Sequence, residues 1–492
     1  MKLIKLLQNV KSCALESIDD IANNEISAIY TDSRKCTRDS MFVAVKGADI
    51  DGHTYIKAAI ENGAKYIVYE KDFDIELLKS DGLYFIAIEN SREAIAKIAG
   101  NFYDNPSEKL KLVGVTGTNG KTSIATLLYR LFSKLGYKCG LISTIANYVG
   151  DKRYETINTT PGPIDLNKLI AEMVEVGCEY CFMEVSSHAL DQKRTSALSF
   201  VGGIFTNLTH DHLDYHKTFE NYLKCKKTFF DTLGSSAFAL SNKDDKNGLV
   251  MLQNTKAEKK TYSCQGMADF KTKIIEQTIE GMLLNINGKE VWCRFIGSHN
   301  ASNITAVYGA AVLLGGKEEE VIKEISLLSS VAGRLEYFKG ANDIIAAVDY
   351  AHTPDALENV LKTLRDIECK GDLVCVFGCG GNRDKTKRPE MGAIAGKYAD
   401  RIVVTSDNPR FEDPNEIIAD IKAGMDIKTK AKSLFIADRT EAVRAAILNA
   451  KPGSIILIAG KGHEDYQIIN GVKHHLDDKE LIKLSFDQMA ER

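Results

Sequence analysis

The stretch Gly114-Val115-Thr116-Gly117-Thr118-Asn119-Gly120-Lys121-Thr122-Ser123 carries the residue types of a phosphate cradle. The apolar run Leu112 to Val115 leads into it, and a helix-like pattern from Ile124 to Leu135 leads out. A glycine-rich turn between strand and helix aims backbone N–H groups and the positive helix end at an anion, and Lys121 adds a point charge. Thr122 is the position from which a hydroxyl reaches Mg²⁺. The common pattern wants glycine about five residues before the final glycine. Val115 stands there instead, and the glycines fall at 114, 117 and 120. The stretch reads as a variant phosphate loop, with an ordinary glycine-rich turn as the alternative.

Two further polar stretches follow apolar runs. Glu184-Val185-Ser186-Ser187-His188 is one, and Thr209-His210-Asp211-His212-Leu213-Asp214-Tyr215-His216 is the other. A zinc site is one reading, but no spaced histidine pair or cysteine completes a tetrahedral set. A charged surface loop is another. The third is a Mg²⁺ and phosphate site facing Lys121, with oxygens from Glu184 and Thr122 and one histidine as an extra ligand. Placement at strand ends favours the third. Cys178-Glu179-Tyr180-Cys181 has CxxC spacing without a second pair, so packing is favoured over a metal or redox role.

Near the C-terminus three loops succeed short apolar strands: Gly378-Cys379-Gly380-Gly381-Asn382-Arg383-Asp384, Ser406-Asp407-Asn408-Pro409-Arg410 and Gly460-Lys461-Gly462-His463-Glu464-Asp465. Each alone is a turn with solvated charges. Together, Arg383, Arg410 and Glu464 suit a ligand of both charge signs, with guanidinium forks for carboxylate and a carboxylate for ammonium.

These stretches need sheets to hold them. Residues 1–109 predict strands at 41–45, 65–69 and 84–88, with helices at 55–62 and 92–102. Asp104-Asn105-Pro106-Ser107 reads as a linker turn. Residues 110–335 predict strands near 140–144, 180–185, 200–206 and 237–241 beside the phosphate loop, a largely parallel sheet covered on both faces. Residues 336–492 predict a Rossmann-like α/β unit with strands at 344–348, 373–377, 401–405 and 455–459. The fold class is thus α/β in three domains, the central one a phosphate-loop, ATPase-like parallel sheet.

A chain of 492 residues has room for about three domains, and 44% hydrophobic with 26% charged residues is ordinary for a globular enzyme. The net charge of −4 argues against a nucleic-acid partner. No apolar run nears the ~20 residues of a membrane span, and the N-terminus lacks a signal-peptide pattern. Eleven scattered cysteines then suit reduced thiols in the cytoplasm.

Six motifs occur in one order: Gly117–Thr122, Glu184–His188, Asp211–His216, His299-Asn300-Ala301-Ser302-Asn303, Gly333-Arg334-Leu335-Glu336 and Asp349-Tyr350-Ala351-His352-Thr353-Pro354. The set resembles the Mur ligases of peptidoglycan synthesis over essentially the whole chain. Asp407-Asn408-Pro409-Arg410 with Gly462-His463-Glu464 is similar to members that add meso-diaminopimelate rather than lysine. The resemblance implies an ATP- and Mg²⁺-dependent amide ligase, expected to act as a monomer, that joins meso-diaminopimelate to UDP-MurNAc-L-Ala-D-Glu. It implies nucleotide contacts from Thr116 to Thr122 and at Asn303, Arg334 and Asp349. It implies dipeptide contacts at Ser33, Thr159, Thr160, Ser186, Gln192 and Arg194, and a diaminopimelate pocket of Arg383, Asp407, Asn408, Pro409, Arg410, Gly460 and Glu464. Catalytic roles fall to Lys121, Glu184, His212 and Lys226, with Thr122, Glu184, His212 and Lys226 as metal ligands. Lys226 matches a lysine that family members carry as a carbamate; Lys224 and Lys227 are its neighbours, and a solvated basic helix face is the alternative. Ala48-Asp49-Ile50 departs from the family's usual His-Gln pair, so uridine contacts stay open there. A related folylpolyglutamate synthase is a rival that the long first unit disfavours, and a phosphate-loop binding module would leave the C-terminal loops unused.

Overall fold

The computed structural model describes residues 1–11, 21–47, 50–156, 158–331, 333–367 and 369–490; Ala48 and Asp49 of the departing loop lie outside them. Three sheets follow one another along the chain. The first is parallel, in the order β1 (Ile29–Tyr30), β2 (Ser40–Val43), β3 (Ala64–Glu70), β4 (Tyr84–Ile88). The helix Ser91–Phe102 packs on it because Ala94, Ile95, Ile98 and Ala99 share one face, and Asn90 caps its start by accepting the N–H groups of Arg92 and Glu93.

The second sheet has eleven strands. They are β5 (Lys111–Thr116), β6 (Cys139–Ile142), β7 (Asn147–Val149), β8 (Lys152–Tyr154), β9 (Tyr180–Glu184), β10 (Gly202–Phe205), β11 (Phe238–Asn242), β12 (Glu258–Ser263), β13 (Phe270–Thr278), β14 (Gly281–Ile286) and β15 (Lys289–Cys293). Their spatial order is β15-β14-β13-β12-β11-β10-β5-β9-β6-β7-β8. From β13 to β6 the neighbours are parallel. β5, β9 and β10 are buried along nearly their whole length, as continuous apolar runs in a doubly covered sheet must be. Helices Lys121–Lys134 and Ser298–Leu313 cover one face; Pro163–Glu175 and Phe219–Asp231 cover the other. The antiparallel extension β13–β15 was not among the expected strands. It alternates buried and exposed residues at the sheet's edge, a weaker pattern than a buried run.

The third sheet runs β16 (Glu336–Lys339), β17 (Ile345–Asp349), β21 (Ile455–Ala459), β18 (Leu373–Phe377), β19 (Arg401–Val404), β20 (Ser433–Phe435), and only β16 is antiparallel. β21, β18 and β19 are adjacent, so the loops after them emerge side by side at one edge. A hairpin of β22 (Tyr466–Ile469) and β23 (Val472–His475) folds over that edge. No helix among the described residues is long and apolar enough to cross a membrane.

Candidate active site

The phosphate loop leaves the carboxyl end of β5. Gly117 has φ 148° and lies against Thr206, so a Cβ there would overlap Thr206 Oγ1. Two residues after β10 hold the loop's shape. The Thr118 N–H donates to Asn207 O (2.8 Å), the Asn119 N–H to Asn207 Oδ1 (2.9 Å), and Thr206 Oγ1 donates to Asn119 O (2.6 Å). The helix Lys121–Lys134 starts without a side-chain cap, leaving its first N–H groups for an anion. Lys121 Nζ turns back to Gly117 O (3.0 Å) and Thr118 O (2.7 Å), and burial holds its amine below the ordinary lysine value.

Lys226, on the helix Phe219–Asp231, is 1% exposed and donates from Nζ to Gly117 O at 2.7 Å. No acid pairs with it among the described residues. Burial, with Lys121 close by, pushes its amine well below the ordinary value. Lys227 instead pairs with Asp231 (2.6 Å), so of the two only Lys226 faces the loop.

Glu184, at the end of β9, is wholly buried and held by neutral donors: Thr122 Oγ1 at 2.9 Å and the Thr144 N–H at 2.7 Å. It makes no ion pair among the described residues. A buried carboxylate beside a hydroxyl and a phosphate loop fits a hard cation. Histidines, cysteines and acids alone do not cluster in threes for a metal among the described residues, so a zinc-type cage is absent there and a cation would need oxygens from its ligands. His212 sits at φ 55°, its ring centroid 5.0 Å from that of His188, and burial lowers its pKa to about 4. The CxxC cysteines are buried core residues whose thiols burial pushes up.

The expected dipeptide residues form a connected network, Ser33 excepted. Thr144 Oγ1 donates to Thr159 Oγ1 (3.0 Å), Thr160 Oγ1 to Glu184 O (2.8 Å), and the Ser186 N–H to Thr160 Oγ1 (3.1 Å). Arg194 spans Thr160 O (2.7 Å) and Gln192 Oε1 (2.6 Å). Ser33 stays with the first sheet, its carbonyl accepting from Asn62 Nδ2 (3.0 Å).

A cavity of about 600 Å³ opens beside the loop. Asn119, Gly120, Asn303, Arg334 and Asp349 line it, so residues from the second and third sheets meet there. Arg334 reaches Thr122 Oγ1 (3.2 Å) and lies 4.6 Å from the Tyr350 ring centroid. Asp349 accepts the N–H groups of Leu335 (2.7 Å) and Ala351 (2.8 Å), while burial raises its pKa to about 6. Sequence reasoning missed Thr206 and Asn207, although they stand at the end of an expected strand, and Asp355, whose Oδ2 accepts from Asn119 Nδ2 (3.0 Å) across 236 residues.

At the third sheet's edge, Asn408 is the hub. Its Nδ2 donates to Glu464 Oε2 (2.8 Å), and its Oδ1 accepts from the Ile468 N–H (2.9 Å) and Lys461 Nζ (3.3 Å). Arg410 has φ 56° and donates to Gly381 O (2.8 Å). Burial, then the nearby charge of Arg383, lowers its pKa. Burial, with Asp407 nearby, raises that of Glu464. Gly460, at φ 114°, leaves room for Asp407 Oδ2 that a Cβ would fill. The wholly buried Lys461, to which the sequence assigns no role, lies 3.3 Å from Glu464. His210 joins Asp384 (3.2 Å), linking the histidine-rich loop to this edge.

A cavity of that size at a phosphate loop, faced by a second α/β unit with its own polar edge, marks a nucleotide-binding enzyme whose ligand site is shared between two units. Family descriptions match in three blocks: Mur ligase family, catalytic domain, over residues 25–103; Mur ligase middle domain over 115–311; and Mur ligase, glutamate ligase domain, over 333–462. The chain belongs to the Mur ligase family. It is 53% identical, over 99% of both chains, to the UDP-N-acetylmuramoyl-L-alanyl-D-glutamate--2,6-diaminopimelate ligase of Bacteroides fragilis. Among solved structures it matches one of a ligase of that same name with TM-score 0.69 and 29% identity over 100% of both chains. It also matches the MurF ligase of Thermotoga maritima in complex with ADP, with TM-score 0.63 and 18% identity, covering 94% of this chain and 98% of that one.

Proposed function

We propose that this chain is a cytoplasmic, ATP- and Mg²⁺-dependent amide ligase that adds meso-2,6-diaminopimelate to the D-glutamate of UDP-MurNAc-L-Ala-D-Glu, acting as a monomer. Residues 1–109 hold the UDP-MurNAc end, 110–335 the ATP and the reacting carboxylate, and 336–492 the amino acid. The observation that supports the reading is the hydrogen-bonded set of Asn408, Lys461 and Glu464 at the third sheet's edge, with Arg410 Nη1 3.5 Å from Asn408 O.

The reaction has two steps. A carboxylate oxygen attacks the γ-phosphorus and ADP leaves; the neutral amine then attacks the acyl carbon, the C–O bond to phosphate breaks, and the nitrogen releases a proton as phosphate leaves. A carboxylate is a poor electrophile and repels the γ-phosphate, so cations must offset both charges. Lys121 and the uncapped N–H groups of the helix at 121 supply part of this. Mg²⁺ at Thr122 and Glu184, with His212 and a carbamylated Lys226 beside them, would supply the rest of the charge neutralisation. An amine reacts with CO₂ in its neutral form, and burial shifts Lys226 toward that form. Thr159, Thr160, Ser186, Gln192 and Arg194 orient the dipeptide, with Ser33 toward its nucleotide end. Arg383 and Arg410 take the distant carboxylate of diaminopimelate, while Asp407 and Glu464 take its ammonium, with Gly460 and Pro409 shaping the wall. Holding the amino acid by its far end places its reacting amine near the acyl carbon.

The test is phosphate release with the UDP-dipeptide, ATP and Mg²⁺, comparing meso-diaminopimelate with L-lysine. Release should require all components and favour diaminopimelate. A preference for lysine, or release independent of the amino acid, overturns the assignment.

A further inference from the structure

Beneath the loops at 407–410 and 460–464 lies an ion pair sealed from solvent: Arg439 and Asp478 are each 0% exposed. Arg439 opens the helix Arg439–Leu448, and Asp478 opens the helix Asp478–Ala490. Arg439 Nε and Nη2 grip the two oxygens of Asp478 at 2.8 and 2.7 Å. The remaining donors reach two backbone carbonyls, Ala459 O (3.0 Å) from Nη2 and Ser406 O (3.3 Å) from Nη1. Ser406 and Ala459 are the residues immediately before Asp407 and Gly460, so one guanidinium holds the roots of both loops. Those loops touch with no slack, because Asp407 Oδ2 fills the space a Cβ on Gly460 would need.

We propose that Arg439 is a positioning residue for the amino-acid pocket, a clamp that sets the separation of the Asp407 and Gly460 loops without touching substrate. The inference rests on the reading of that pocket as the diaminopimelate site. A lysine in its place has a single ammonium and cannot reach a bidentate carboxylate and two carbonyls together. Apolar replacement of both members of a buried ion pair is often close to neutral for stability, which separates placement from folding.

Two variants make the test: Arg439→Met with Asp478→Leu, which removes clamp and counter-charge together, and Arg439→Lys, which keeps the charge. In both, KM for meso-diaminopimelate should rise about tenfold or more, while KM for ATP and for the UDP-dipeptide stays within about twofold, as expected when charged hydrogen bonds that act only on one site are lost. Hydrogen exchange reads the clamp without substrate: the amides of residues 406–408, 410 and 460–464 should exchange faster in the variants, with those of β18 unchanged. Equal rises in all three KM values, or unchanged exchange at both loops in folded variants, overturn the inference. Failure of the unaltered enzyme to use diaminopimelate overturns the reading of the pocket instead, and the exchange data then decide the clamp alone.

Discussion

Lys226 Nζ donates 2.7 Å to the carbonyl oxygen of Gly117, so a buried amine joins the helix Phe219–Asp231 to the phosphate loop. Burial, then the nearby charge of Lys121, pushes a lysine in that place well below its ordinary value. Lys226→Ala should lower turnover by about a hundredfold or more, the scale of losing a group that offsets transition-state charge. If the working species is a carbamate, short-chain carboxylic acids should restore part of the rate, read as phosphate release. Full activity in the variant, or no rescue at any concentration, refutes the carbamate. Stability gives an independent check. The folded amine gives up its proton at lower pH than the unfolded one, so burial costs stability that is recovered as pH rises toward the unfolded value near 10.5. Lys226→Met should flatten that rise, measured by Tm between pH 7 and 10.

Gly117→Ala tests the loop itself. Its Cβ would meet Thr206 Oγ1 and the backbone of Asn207, the atoms that fix Thr118 and Asn119. At φ 148° an alanine is also strained. Nucleotide binding should fall by about tenfold or more in titration calorimetry, with the amino-acid pocket unaffected. Unchanged ATP affinity would show that the loop's shape does not matter.

The fold was legible where burial imposes a strong pattern. β5, β9, β18 and β21 are continuous apolar runs, and the polar residues after them fall at strand ends, where a parallel sheet places ligands. β13 to β15 were not, because a half-exposed edge meander alternates weakly. Within the site, Lys121, Thr122 and Glu184 could be placed from local motifs. Asp355 and Arg439 could not: one meets Asn119 across 236 residues, and the other acts through backbone carbonyls that carry no residue-specific signal. Lys461 was not legible either, since only burial distinguishes an internal counter-charge from a solvated lysine.

Arg410 is set at φ 56° with Nη1 on Gly381 O, a strained placement that aims the guanidinium at the edge between the loops. Arg410→Lys keeps a charge and loses the fork. KM for diaminopimelate should rise about ten- to a hundredfold, the range for a charge-assisted hydrogen bond, while KM for ATP stays constant. Comparable rises for both substrates would remove Arg410 from the amino-acid pocket.

Half-buried histidines set the response to acid. Burial lowers His212, His299 and His463 from 6.5 to about 4 each. Between those values the unfolded chain binds protons that the folded one does not, so this stability is present above pH 6.5 and is lost as pH falls toward 4. Asp349 runs the other way: raised from 3.8 to about 6, it holds a proton in the fold that the unfolded chain has released, and its contribution is lost as pH rises through that window. His188, His216 and His352 are lowered as well, and Asp355 and Glu464 are raised like Asp349, so the lowered histidines outnumber the raised carboxyls and Tm should fall on acidification from pH 6.5 to 4. Replacing His299 and His463 by asparagine should flatten the fall, because each removes a group that must stay uncharged in the fold. Asp349→Asn should steepen it, because the opposing group is gone. A Tm that is constant or rising over this range in the unaltered protein would mean that these histidines are solvated in the fold.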